Sequence, residues 1–230
     1  MLSMIKEAGK AGADLIVFPE LSRTGHSHRP TAEEIAVLAE TFPSVDSQRI
    51  AGEAYQHKMS VVYGSLEPSP TGAYNTVVWL EEDKMFRYHK THVHWTENFT
   101  PGESFPVFES NLAKAGALVC FDLAFPEAAR TLALNGAELV VAPSVMPLNF
   151  KDISRRRVVA RAVDNQVFVI YCNYTGEAYE GGSLVVDPGG EILFEAGTKT
   201  GVYLQAIDLR QVAYWRNYER IYDQRRPHIY

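Results

Sequence analysis

The apolar positions of this chain switch repeatedly between helical spacing and short runs in which nearly every residue is apolar. Residues 1–12 follow helical spacing, and Gly12 hands over to the apolar run 15–18, closed by Pro19. Thr31, followed three residues later by Glu34, has the form of a capping box, and residues 44–58 read as a further helix. Strands are expected at 61–66, 76–80 and 84–88, separated by turns carrying Gly and Pro. The run 117–120 is wholly apolar and reads as a buried strand ending on Cys120. Pro126 then opens a helix that runs to Asn135, and Gly136 closes it.

The alternation continues with a strand at 139–142, a helix at 151–164, and strands at 167–173, 183–187, 191–194 and 202–207. Pro188-Gly189-Gly190 makes a tight hairpin between the second and third of those last four strands. With no repeat, low-complexity linker or boundary, the pattern predicts one mixed α/β domain over residues 1–230. Apolar strands alternating with helices imply layered sheets covered by helices. The pattern leaves open whether there is one sheet or two, and in what strand order.

Composition narrows the function. Of 230 residues, 46% are hydrophobic and 22% charged, as expected of a globular protein with one sizeable core. A net charge of −6 argues against general nucleic-acid binding, which needs a basic face. The local run Arg155-Arg156-Arg157 lies among apolar residues at helical spacing and reads as the solvated side of a helix. Two cysteines, Cys120 and Cys172, imply no disulfide framework. No stretch is long and apolar enough to span a membrane, and Met1 to Glu7 reads as an amphipathic helix rather than a signal peptide. A cytoplasmic location without membrane partners is expected.

Three segments put reactive side chains at the ends of strands, where loops gather into sites. Phe18-Pro19-Glu20-Leu21 brings a carboxylate, Tyr88-His89-Lys90 a cation and Val119-Cys120-Phe121-Asp122 a thiol. Taken singly, each has a plainer reading: a loop glutamate, a solvated lysine, a structural buried thiol. Together they form a set for acyl transfer. Cys120 would attack an amide-like carbon, and a thiol beside a helix start and a cation ionises more readily. Lys90 and the backbone N–H of Phe121 would hold the developing oxyanion. Glu20 would take the thiol proton, pass it to the departing amine and later activate water.

These segments resemble the motifs of the nitrilase superfamily of carbon–nitrogen hydrolases, which uses a Glu-Lys-Cys triad. Residues 12–21 are similar to its glutamate motif, and Tyr88-His89-Lys90 with Glu97, Phe99, Pro101 and Gly102 to its lysine motif. Cys120-Phe121-Asp122, Phe125-Pro126-Glu127 and Arg130 are similar to its cysteine motif, continued by Gly136-Ala137-Glu138 and Pro143-Ser144. The likeness extends through residues 161–165, Asn173, Gly182-Ser183 and Arg225-Arg226-Pro227, in family order and over nearly the whole chain. It implies an αββα sandwich, two mixed β-sheets between helical layers, assembled into homo-oligomers and needing no cofactor or metal. It also implies that Glu97 is a second glutamate that positions substrate and lysine. The family places a strand before the opening helix; this chain opens inside that helix, so the first strand is expected to be missing and the start truncated.

Remaining candidates read as architecture. His89, His92 and His94 lack a completing ligand set and read as structural histidines. Glu127 in a first helical turn favours the helix dipole, with Arg130 placed to pair with it. Cys172 reads as core. The aromatic run Tyr214 to Tyr218 reads as core or a subunit contact. Members that hydrolyse N-carbamoyl amino acids often carry arginine just after the Cys-Xaa-Asp; here Leu123 and Ala124 stand there, uncharged. With Ser144 and Met146 they are the expected substrate contacts. The reading is therefore hydrolysis of a small amide to carboxylic acid and ammonia, with carbamoyl amides second and nitriles third. The rivals from other classes are a catalytically silent oligomeric interaction protein and an acyltransferase.

Overall fold

Two sheets carry the fold, and the chain builds them one after the other. The computed structural model describes residues 1–229. Its first sheet runs β1 (Leu15–Val17), β2 (Ser60–Ser69), β3 (Gly72–Glu81) and β4 (Lys84–His89), with β1 parallel to β2 and the rest antiparallel. The second holds β5 (Phe108–Glu109), β6 (Lys114–Ala117), β7 (Leu139–Ser144), β8 (Phe168–Asn173), β9 (Leu184–Val186) and β10 (Ile192–Glu195), in the order β10-β9-β8-β7-β6-β5. Its middle three strands, β6 to β8, are parallel, and its flanks are antiparallel. Helices α1 (Leu2–Lys10), α2 (Ala32–Leu38) and α3 (Val45–Gln56) precede β2, while α4 (Pro126–Leu134), α5 (Lys151–Asn165) and α6 (Arg210–Glu219) belong to the second half.

The wholly apolar strands are explained by layering, because both faces of each sheet are covered. Along β2 and β3, Val62, Val77 and Trp79 face the second sheet, meeting Ala115, Val141 and Phe168. The alternate residues Val61, Tyr63, Val78 and Leu80 pack under Ile5 and Ala8 of α1 and Ile50 and Ala54 of α3. Along β7 and β8, Val140, Ala142, Val169 and Tyr171 face α4 and α5 through Leu132, Val158 and Ala162. Burying each such side chain is worth about 1.5–3 kcal/mol. This is the αββα sandwich.

The capping box forms, with the Thr31 hydroxyl accepting from Glu34 N and the Glu34 carboxylate accepting from Thr31 N. The hairpin forms as well, with Asp187 Oδ1 accepting from Gly189 N and Glu191 N. Four expectations need correction. The strand expected at 117–120 ends at Ala117, and a 3-10 turn occupies Cys120–Ala124. The segment expected as a strand at 202–207 forms no regular element and pairs with no strand among the described residues; it lines an apolar groove of about 750 Å³ together with Ile16 of β1, Ile170 and Leu184. The aromatic run near the C-terminus is helix α6, with Tyr214 and Tyr218 exposed and Val212 alone buried. Arg130 donates to the Asp164 carbonyl at the end of α5 instead of pairing with Glu127. No helix among the described residues is long and apolar enough to cross a membrane.

Candidate active site

Glu20 and Lys90 meet at one end of the first sheet because β1 and β4 run the same way, and Glu20 follows the end of β1 at Val17 by three residues while Lys90 directly follows β4. Asn75 on β3, between them, links the two: its carbonyl accepts from Lys90 N at 2.9 Å, and its amide donates to Glu20 Oε1 at 2.7 Å. Lys90 Nζ donates to the same Glu20 oxygen at 3.0 Å and to both Glu97 oxygens at 2.9 Å. The Lys90 side chain has no exposed surface, Glu20 is 1% exposed and the Glu97 side chain 4%. Burial by itself would lower the lysine pKa; the Glu20 and Glu97 carboxylates outweigh it and hold Lys90 well above its ordinary range. The ammonium is a fixed charge.

Two glycines make this crowding possible. A Cβ on Gly64 of β2 would lie 2.1 Å from Leu21 N, so the Glu20 turn rests directly on the sheet only because that Cβ is missing. A Cβ on Gly102 would lie 2.3 Å from the His89 carbonyl, next to the bond that Gly102 N makes to Lys90 O at 2.8 Å. That contact brings the segment bearing Glu97 against the lysine. Glu97 is oriented further by His94 N, which donates to Oε2 at 2.9 Å.

Cys120 comes from the other sheet. Leu118 N still bonds β7 through the Val141 carbonyl at 3.0 Å, after which the chain turns sharply. Asp122 causes the turn: its Oδ2 accepts from Val119 N at 2.8 Å, and Cys120 takes φ 47°, in the left-handed region that non-glycine residues seldom occupy. The same buried carboxylate accepts from Tyr88 Oη at 2.7 Å and from His92 N at 2.8 Å, with His92 Nδ1 at 2.9 Å. Tyr88 and His92 flank Lys90 in sequence, so Asp122 ties the lysine segment of one sheet to the nucleophile turn of the other. The role of Asp122 is architectural, and that architecture aligns the two segments.

The Cys120 thiol, half-buried, donates toward the Val145 carbonyl at 3.7 Å and lies 3.9 Å from Met146 Sδ. Burial pushes its pKa well above the usual thiol range and Glu20 adds to the rise, while Lys90 pulls it down. A thiol raised in this way needs a neighbouring base to take its proton before it can act as a nucleophile. Glu20 Oε2 is buried with no hydrogen-bond partner, so the lone pairs of that oxygen are unused.

The expected substrate contacts divide. Met146 is beside the sulfur, and its N–H is held by Asn173 Oδ1 at 2.8 Å. Ala124 is partly exposed on the turn. Leu123 is wholly buried in the core under α4, and Ser144 is wholly buried with its hydroxyl donating to Ala142 O at 3.1 Å. Those two support the site from behind. The three histidines of the lysine segment each have a partner: Glu67 for His89, Asp122 for His92 and Thr96 for His94. Sequence analysis missed His26, which lies half-buried near Glu20 and Lys90. Burial lowers its pKa below the ordinary imidazole value; Glu20 opposes this, and His28 and Lys90 add to it. The one sequence signal was the pair His26 and His28, two residues apart and just past the glutamate motif. The apolar groove reaches Cys172 but not Cys120.

Known proteins fit this geometry. The sequence profile of the carbon-nitrogen hydrolase family matches residues 1–217. An (R)-stereoselective amidase of Pseudomonas sp. is 32% identical over 221 residues, covering 92% of this chain and 80% of the amidase. A nitrilase of Pyrococcus abyssi (strain GE5 / Orsay) is 33% identical over 216 residues, covering 90% of this chain and 81% of the nitrilase. Among solved structures, an amidase from Nesterenkonia sp. superposes with a TM-score of 0.77 at 30% identity, over 87% of this chain and 79% of that one. Variants of that amidase have been solved with the acetamide moiety of fluoroacetamide added covalently at the active-site cysteine, and in complex with butyramide. This chain is a member of the carbon–nitrogen hydrolase family, an enzyme of the amidase-like branch of the nitrilase superfamily.

Proposed function

We propose that the chain hydrolyses a small linear amide to a carboxylic acid and ammonia through a thioester on Cys120. The observation that carries this reading is the buried Lys90 ammonium, held 3.0 Å from Glu20 and 2.9 Å from Glu97, within Coulombic reach of the Cys120 sulfur. Such a cation has no structural need of two carboxylates and a thiol. It suits a reaction in which negative charge appears on sulfur and then on oxygen.

Glu20 takes the proton from Cys120 as sulfur attacks the carbonyl carbon, since the neutral thiol is a poor nucleophile. The carbonyl electron pair moves to oxygen, where the Lys90 ammonium and the Phe121 N–H stabilise it. Glu20 returns the proton to nitrogen, the C–N bond breaks and ammonia leaves. Glu20 next deprotonates water, which attacks the thioester; the acid departs and the sulfur recovers its proton. Glu97 keeps Lys90 in place through both halves. The uncharged Ala124 and the apolar Met146 favour an uncharged aliphatic acyl group, and the butyramide bound by one variant of the Nesterenkonia amidase and the acetamide moiety added covalently to another are of that class.

Mass spectrometry of the protein incubated with acetamide, propionamide and butyramide, alongside Cys120→Ala, tests the reading. An acyl adduct and ammonia release that both vanish in the variant are expected. Activity confined to N-carbamoyl amino acids or to nitriles overturns the substrate class, and folded protein inert toward all of them indicates a silent scaffold. We also propose a homo-oligomer that covers the exposed face of α6, where Tyr214 is 60% and Tyr218 70% exposed. Tyr218→Glu should shift the assembly to smaller species in size-exclusion chromatography.

A further inference from the structure

Beside the catalytic charges lie two imidazoles for which the proposed reaction has no use. His26 and His28 follow the Glu20 turn, and their rings meet edge to face with centroids 4.3 Å apart. One nitrogen of each and one carboxylate oxygen of Glu97 all lie within 4.8 Å of one another. A tetrahedral ion with donors at about 2.1 Å needs them roughly 3.4 Å apart, a closure of at most about 1.4 Å from the 4.8 Å spread. His28 is exposed and His26 half-exposed, so the closure falls on the two side chains with open space around them. Glu97 is the fixed member, oriented by Lys90 Nζ and His94 N; Oε2 accepts from both, while Oε1 accepts from Lys90 alone and keeps a second lone pair.

Charge favours a cation there. Glu20 and Glu97 contribute two negative charges against the single positive charge of Lys90, leaving the buried cluster at −1 before the thiol ionises. Two imidazoles and one carboxylate suit zinc-like divalent transition ions better than magnesium or calcium, which prefer all-oxygen sets.

We propose that His26, His28 and Glu97 form a binding site for a divalent transition metal of the zinc class, and that its occupation slows hydrolysis. The ion shares the carboxylate that holds Lys90 and sets a second positive charge beside the ammonium. Lys90 is then less firmly held where the oxyanion forms. Metal binding stands on these three residues alone, whereas the loss of turnover rests on the amidase reading.

Cobalt(II) titrated into the full-length Cys120→Ala protein, followed by its visible d–d absorption, reads binding with the competing thiol removed. One ion per chain is expected, bound about tenfold or more weakly in the double variants that also carry His26→Ala or His28→Ala. No saturable binding, or equal affinity in all three proteins, overturns the site. In protein with Cys120 intact, zinc should suppress ammonia release from butyramide and EDTA should restore it. His28→Ala should raise the zinc concentration for half-inhibition about tenfold or more. Equal half-inhibition with and without His28 identifies Cys120 as the target and overturns the inhibitory role. Metal-free protein that releases no ammonia from any amide, yet binds cobalt through these histidines, refutes the amidase reading and the inhibition while supporting the site. Active protein that binds no cobalt refutes the site and leaves the amidase reading standing.

Discussion

Cys120 and Cys172 are the two thiols of the chain, both half-buried and both on the second sheet or its continuation, yet only Cys120 lies under the influence of a carboxylate and an ammonium. Cys172 sits in the regular strand β8 and donates to the Val17 carbonyl at 3.1 Å. Burial raises its pKa to about 12, with Ser183 pulling slightly the other way and no charged group near. Cys120 is raised by burial too, but it stands in a strained turn between a carboxylate and an ammonium. Burial alone therefore silences both thiols. What separates them is a base that can take the proton and a cation that can hold the charge afterwards.

The largest effect that tests this contrast is removal of each thiol. Cys120→Ala should reduce ammonia release by about 10⁴-fold or more, as removal of a nucleophile does, while Cys172→Ala should stay within about twofold of the wild type, as expected for a site away from the chemistry. Equal losses would erase the distinction. Next comes Lys90→Met, expected to lower kcat by about 10²–10³-fold. It should also cost about 3–5 kcal/mol of stability in urea unfolding, because Glu20 and Glu97 are left buried without their cation.

The same substitution sharpens the comparison through pH. Lys90 lowers the Cys120 pKa, so its removal raises that pKa further and leaves less thiolate at any given pH. Iodoacetamide labelling of Cys120 at pH 8 should slow in Lys90→Met, while labelling of Cys172 should not change. In the wild-type protein, labelling of Cys120 should keep climbing above pH 8.5, where an ordinary thiol begins to level off. The smallest of these effects is that of Asp122→Asn, which replaces one acceptor oxygen by a donor amide and loosens the strained turn. We expect kcat to fall about 10–100-fold with KM little changed, since positioning is lost without loss of substrate contacts.

Much of this contrast was legible in the sequence. The triad residues follow apolar runs, and their motifs stand in an order that one family shares. The capping box at Thr31 and the Asp187 hairpin are local hydrogen-bond patterns, complete within a few residues, and form as read. What escaped reading depends on distant neighbours. The run 117–120 has the composition of a strand throughout, and only the Asp122 carboxylate, already bonded to Tyr88 and His92, ends it early by capturing Val119 N. Residues 202–207 also have strand composition, but a strand needs a partner, and no strand among the described residues pairs with them. Leu123 and Ser144 were read as substrate contacts because they lie near the nucleophile in sequence or follow a strand end. The 3-10 turn points Leu123 into the core under α4, and Ser144 ends a strand that is buried throughout.

By itself the sequence determined the layered α/β architecture and the three reactive residue types, because periodicity and motif order are properties of the chain. Tertiary structure alone decided that Asn75 links Glu20 to Lys90, that Asp122 joins the two sheets at the site, and that His26 and His28 approach Glu97. The physical reason is that hydrogen bonds and Coulomb forces act over a few ångströms in space. Pairs separated by 55 or 34 residues along the chain, such as Glu20 with Asn75 and Tyr88 with Asp122, leave no trace in local pattern.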